Sequence, residues 1–446
     1  MPNLDIVIAN STVVTPAGAQ RLDIGIKDGR ISVLASPGSA LEAARTVDGT
    51  GRYALPGCVD CHVHTRDPGQ THKEDFNTLT RAAAAGGVTT IMCQPTTTPA
   101  INTADMVHQV AEDWPKKAMV DFTIQAMAEP GNMGEIPGML EAGAVSMEFL
   151  GQGSTGPMMM DIMKAVHENG GISSMTASDG GHSQFMRQQL QESGRVDIRD
   201  WLEAWPRENE SVGVARTLLL TENTPYRFHF HMITTKRSLE LIREAKEKRP
   251  GSFTVETSPK YLLLTEEDHV RMGAFGTVLP RFKTPDDNAA VWGGLLDGSI
   301  DMVATDHAPH ARAEKEEGFR DIWKAPTGVP EVEISLPLML TQVNAGRLSL
   351  SHLAKVMSEN PAREYGIYPQ KGALQVGSDA DLVLVDMERV STIDDGALVT
   401  APKYSAFGGT PVKGMPVMTM VRGNVVMNEG AAAQGPSVGQ LVKPRR

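Results

Sequence analysis

Apolar and polar positions along the chain follow two different rhythms. Residues 1 to 53 hold short apolar stretches, "LDIVIANSTVV", "RLDIGIKDGRISVLA" and "ARTVDGTGRYALP", broken by the turn signals "KDGR" and "DGTGR". The far end repeats this style in "ADLVLVDME" and "PVMTMVRGNVVMNEG". Short runs with hairpin punctuation predict strands, and the two ends together predict one small β domain. The middle is different. "RAAAAGGVTTIMCQP" reads as a helix end, a Gly-Gly stop and a short apolar strand. "MLEAGAVSMEFLG", "IMKAVHENGGISSMTAS", "PYRFHFHMITTKRSLELIREAKEK" and "GLLDGSIDMVATDHAP" keep the same beat. Helix, short loop and strand in alternation predict βα units on a parallel sheet. At least six such units fit between residues 55 and 370. An α/β class follows, most economically closed as a (β/α)8 TIM barrel. The expected organisation is 1–54 as the N-terminal part of a β-sandwich, 55–370 as the barrel, and 371–446 as the C-terminal part of the β-sandwich with a tail. That tail, "GPSVGQLVKPRR", reads as flexible.

Composition narrows the function. The 446 residues carry a formal net charge of −12 and contain no Lys/Arg-rich run. Phosphate binding needs a concentrated basic surface, so nucleic acid is not an expected partner. No stretch approaches the roughly 20 apolar residues that a membrane span needs. The N-terminus has neither a basic n-region nor a long apolar core, so a signal peptide is not expected either. Three cysteines, Cys58, Cys61 and Cys93, make an odd count. A cytoplasmic protein is the expectation. Cys58-x-x-Cys61 sits on a strand-like run and not at a helix start, which favours small buried residues over redox chemistry.

Polar residues cluster just after each apolar run of the middle segment. In a barrel those are the C-terminal strand ends, where active sites lie. "PGCVDCHVHTRDPGQTHKED" places His62 and His64 two positions apart on a strand, so both imidazoles face one side. Two such rings can hold one metal ion. In "IDMVATDHAPH" an apolar strand leads to Asp306, a carboxylate able to ligate a metal and to take a proton from water. Capping of the next helix is its plain structural alternative. "FHFHMITT" adds His229 and His231. His231, followed by a polar strand end, is expected to face the lumen, and His229 to pack.

These phrases, with "AAAAGGVTTIMCQPTTTP", "TEEDHVRMGAFGT" and "NPAREYGIYPQKGALQVGSDADLVLVD", resemble the cyclic amidohydrolases of the amidohydrolase superfamily, a group of dihydroorotases, hydantoinases and allantoinases. "HTRDPGQTHKED" and "TDHAPH" are similar to class I dihydroorotases, while "ETSPKYLLLTEED" is similar to hydantoinases and allantoinases. The resemblance implies a TIM barrel with a small β-sandwich from both termini, and metal-assisted hydrolysis of a ring C–N amide bond. It implies one or two divalent ions, usually zinc, held by His62, His64, Glu148, His231 and Asp306. Asp306 is the implied catalytic proton acceptor and donor. Arg66, Thr96 and His310 are the implied substrate contacts, Arg66 for an anionic group, since its planar fork matches a carboxylate. Glu148 stands where many relatives carry a carboxylated lysine, and Thr176 where they carry a metal-binding histidine, so a second metal site is expected to be impaired. His182 lies six residues beyond Thr176. Thr96, Leu279 and Glu331 replace an asparagine, another asparagine and a glycine of dihydroorotases, which argues against plain dihydroorotate, while Arg66 argues for an anionic substrate. The expected activity is dihydroorotase-like opening of a cyclic amide. The alternatives are a hydantoin or cyclic-imide substrate, or a non-catalytic homologue acting as a subunit. The resemblance further implies a homo-oligomer, a dimer or tetramer.

Overall fold

The computed structural model describes residues 4–149, 156–432 and 435–445. Eight parallel strands stand side by side in chain order: Cys58–Val63, Val88–Cys93, Asp121–Met127, Ala144–Phe149, Ser173–Thr176, Phe228–His231, Phe253–Thr257 and Met302–Val303. A bridge between Val63 and His307, with His64 N–H donating to the His307 carbonyl at 2.8 Å, brings the last strand's extension back to the first. The sheet is therefore the expected (β/α)8 barrel. Its strands are buried along almost their whole length, which is why they read as continuous apolar runs instead of alternating ones.

Between strands the chain returns as helices. The first, Phe76–Ala85, begins at Asp75, whose side chain accepts from Thr78 N–H at 2.8 Å. It ends at the Gly86-Gly87 pair, where Gly87 takes a positive φ of 83°. Phe76 stacks on Trp114 at 4.5 Å between ring centres, and both rings meet Phe122 edge-on. Aromatic contacts of this kind add about 0.5–1.5 kcal/mol each beyond the area they bury. Two connections depart from a simple rhythm by holding three helices each: Gly180–Glu192, Ile198–Ala204 and Glu208–Leu220 between the fifth and sixth strands, and Pro259–Leu263, Glu266–Met272 and Pro285–Asp297 between the seventh and eighth.

Both chain ends enter a second, nine-stranded mixed sheet, the expected β-sandwich region. Tyr53–Pro56 pairs antiparallel with Leu382–Thr392, joining N-terminal and C-terminal strands directly. Ile8, Ile24, Ile26, Leu382, Leu384 and Met420 form its core. A buried ion cluster ties this region to the barrel floor. Lys371 Nζ lies 2.7 Å from Asp381 and 3.0 Å from Asp379, and also bonds Asp121, the first residue of the third barrel strand. The tail departs from expectation. Phe122 N–H donates to Gln440 O at 3.0 Å, and Val442 N–H to Phe122 O at 2.8 Å. Val438 and Gly439 N–H both reach Ala118 O. The tail is docked along the barrel floor by backbone pairing that its composition does not reveal.

Candidate active site

The C-terminal ends of the barrel strands open into a cavity of about 520 Å³. His62, His64, Arg66, Thr96, Glu148, Asp306 and His310 all line it. His231 does not; it is buried behind Glu148. Thr176 and Leu279 line the cavity as well, as Thr96 does, but Glu331 does not: it is buried against Lys260 and Ser258. His182 does not: its Nδ1 lies 2.8 Å from Asn209 Oδ1 at the start of a helix. Three non-glycine residues of the lining, Arg66, Met232 and Asp306, hold positive φ angles of 54°, 48° and 48°. Such backbone is costly for side-chain-bearing residues and collects at functional sites.

The centre is built from the first and last strands. Asp60 accepts from Thr305 N–H at 3.0 Å and from Thr305 Oγ1 at 2.5 Å, locking the two strand ends together. That places Asp306 Oδ1 3.2 Å from His64 Nε2 and 3.5 Å from His62 Nε2. Each ring is fixed from behind. His62 Nδ1 lies 2.6 Å from Glu256 Oε1, and His64 Nδ1 lies 2.7 Å from Thr96 Oγ1. His231 is held at both nitrogens, 2.7 Å from Glu148 and 2.9 Å from Glu256. His229 packs, as expected, against Thr254 and Glu256. Cys58 and Cys61 are free and buried.

Charge follows from this packing. Burial raises the Asp306 carboxyl, but Lys260, His62 and His64 outweigh it and hold the group at about 2. Burial pushes His64 down to about 4. Burial also opposes charge on His231, yet Glu148 and Glu256 prevail and raise it to about 10. Burial, then Arg66 and Lys73, bring His310 down to about 2. The Arg66 guanidinium is buried; its Nε donates to Pro309 O at 3.0 Å, and its Nη2 lies 3.2 Å from His310 Nε2.

Two residues of this centre were not singled out from sequence. Glu256 sits on the seventh strand with no exposure and faces three histidines and Cys61. Lys260, equally buried, lies 3.6 Å from Asp306 Oδ2 and 3.1 Å from Glu331 Oε2. The signal was present in "FTVETSPK", because charged residues at the end of a buried strand require partners. Which partners they find is a long-range matter.

The donor set fits a metal ion. Glu256 offers only acceptors, so the short contact places the His62 proton on Nδ1. With Nδ1 so engaged, Nε2 is the ring nitrogen that His62 turns toward Asp306 Oδ1. One ring nitrogen each from His62 and His64 and one Asp306 oxygen lie within 4.8 Å of one another.

A parallel barrel with convergent imidazoles and a carboxylate at its C-terminal mouth defines a hydrolytic enzyme acting on a small molecule. Comparison with known proteins makes the class specific. Residues 51–238 match the dihydro-orotase-like family model, and residues 226–426 match that of the amidohydrolase family. The chain is 35% identical to an L-hydantoinase of Paenarthrobacter aurescens, over 99% of this chain and 98% of that one. It is 34% identical to a dihydroorotase of Lactobacillus gasseri, over 95% and 99%. The solved structure of L-hydantoinase (dihydropyrimidinase) from Arthrobacter aurescens superposes with a TM-score of 0.95 at 34% identity, covering 99% of this chain and 100% of that one. The chain belongs to the amidohydrolase family, among its cyclic-amide hydrolases. It is an enzyme of C–N bond hydrolysis, and no helix among the described residues is long and apolar enough to cross a membrane.

Proposed function

We propose that this enzyme opens an anionic six-membered cyclic amide, with L-dihydroorotate as the substrate, using one divalent metal ion held by His62, His64 and Asp306. The observation that carries the reading is the convergence of two imidazoles and one carboxylate at the base of a cavity whose wall holds a buried guanidinium. Imidazole nitrogens with a carboxylate oxygen suit zinc. One ion is proposed because His231 and Glu148 are spent on each other, and Thr176 is a poor zinc ligand. When bound, the metal polarises the ring carbonyl and makes water acidic enough to attack near neutral pH.

The chain's own residues do the rest. Asp306, ionised at neutral pH, accepts the proton of the attacking water and returns it to the leaving ring nitrogen. Arg66 takes the substrate carboxylate with its remaining N–H groups. His310 lies between Lys73 at Nδ1, 3.0 Å away, and both Thr327 O and the Arg66 guanidinium at Nε2, so its ring flanks the guanidinium. Thr96, expected as a substrate contact, is assigned instead to orienting His64. A second reading, a ring with an apolar substituent such as a 5-substituted hydantoin, is favoured by the apolar wall of Met232, Leu279, Pro280, Ala308 and Pro326.

The test is hydrolysis by zinc-replete protein of L-dihydroorotate, a 5-substituted hydantoin and a cyclic imide in parallel. Dihydroorotate is expected to open fastest. Faster opening of the hydantoin would move the reading to the apolar wall. Asp306→Asn is expected to lower turnover by about 10²–10⁴-fold. Near-wild-type turnover with zinc still bound would remove Asp306 from the proton transfer.

A further inference from the structure

Glu256 has both carboxylate oxygens fully engaged, each by two side chains. Its Oε1 faces His62 Nδ1 at 2.6 Å and His231 Nδ1 at 2.9 Å. Its Oε2 faces His229 Nε2 at 3.0 Å and Cys61 Sγ at 3.2 Å. The residue is wholly buried. The two oxygens have different neighbours. Oε1 addresses His62, which lines the cavity, and His231, while Oε2 addresses His229 and Cys61; these last three do not line it.

We infer that Glu256 is the positioning residue of this site, holding the His62 proton on Nδ1 so that Nε2 is bare toward Asp306, with His229 and Cys61 serving to hold Glu256. This rests on the metal reading proposed above. The physical ground is the tautomer. A neutral imidazole has one donor and one acceptor, and whatever binds one nitrogen sets the other. An ionised carboxylate accepts only, which forces Nδ1–H on His62 and leaves Nε2 as a ligand. A side chain that donated at this position would drive the proton to Nε2 and remove the ligand atom. Groups behind ligating histidines act in this way generally.

The experiment is zinc titration of the metal-free protein against a chromophoric chelator, on wild type, Glu256→Leu, Glu256→Gln and His229→Gln. Glu256→Leu is expected to weaken zinc binding by about 10–100-fold. Glu256→Gln keeps one acceptor oxygen and is expected to recover part of that loss. His229→Gln loosens Glu256 only from the Oε2 side and is expected to weaken zinc binding by less than Glu256→Leu does. Zinc affinity in folded Glu256→Leu within about twofold of wild type would overturn the inference. A second measurement needs no variant to fold: ¹⁵N NMR of histidine-labelled, metal-free wild type at alkaline pH, with His62 assigned. A proton on Nδ1 and a bare Nε2 are expected, and a proton on Nε2 would overturn the inference. Wild type that fails to bind zinc would instead overturn the metal reading, and the NMR would still decide the role of Glu256.

Discussion

His231 is a fully buried ring between two carboxylates, and its charge is set by a contest. Burial favours the neutral ring, while Glu148 and Glu256 favour the imidazolium and raise its pKa to about 10, above the ordinary 6.5. A histidine whose folded pKa is raised contributes stability that is complete below pH 6.5 and is lost as the pH climbs toward 10. The melting temperature of metal-free protein is therefore expected to fall across that window. Glu148→Gln removes one of the two carboxylates and is expected to move the fall to lower pH. Scanning calorimetry of both proteins at matched pH checks this, and parallel curves would count against the ion pair. The same residue shows how far the sequence could be read. His62, His64 and Asp306 were legible because their spacing and position after apolar runs constrain where they point. His231 was legible as a lumen residue, but its engagement with Glu148 was not, since that contact spans 83 positions. Glu256 and Lys260 escaped because "FTVETSPK" shows that charges end a buried strand but not which distant groups they meet.

Among elements, the loops after the seventh and eighth strands are joined by a buried ion pair. Lys260, in the helix Pro259–Leu263, reaches Glu331 Oε2 at 3.1 Å, bonds Thr305 O, and stands 3.6 Å from Asp306. Burial pushes the Glu331 carboxyl up, and Lys260 opposes that. Taking away one partner of such a pair leaves an uncompensated charge in a dry site. Lys260→Met is expected to destabilise the fold by about 3–5 kcal/mol. Lys260→Met with Glu331→Leu is expected to cost less than Lys260→Met alone, as read from urea unfolding of both variants. A double variant no more stable than the single one would show that the pair is not the main interaction of Lys260. At this scale the sequence was informative about rhythm and poor about extent. The Gly-Gly stops and apolar runs identified the alternation of helix and strand. They did not indicate that the eighth strand is only Met302–Val303, or that three helices fill each of two connections, because those lengths are set by how the loops pack over the barrel mouth.

For the whole molecule, the two-region architecture was legible from the change in rhythm at each end, while the tail was not. Backbone pairing between Gln440, Val442 and Phe122 depends on no side-chain pattern, so a Gly/Pro/Ser-rich segment gave no sign of it. Deleting residues 436–446 removes those bonds, the Val438 and Gly439 bonds to Ala118, and the Gln440 N–H that reaches Asp121 Oδ1 at 2.8 Å. The truncated protein is expected to melt at lower temperature than the full chain, measured by calorimetry at equal concentration; equal melting would mean that the docked tail adds nothing. The docking also has a consequence for synthesis. A ribosome makes the floor strand Asp121–Met127 more than three hundred residues before Gln440. The barrel floor can be covered only once residues 438–442 have emerged. The interval between translation of the third barrel strand and of that segment is thus a window in which Asp121, Phe122 and their neighbours lack their final cover, and in which a chaperone would have something to hold.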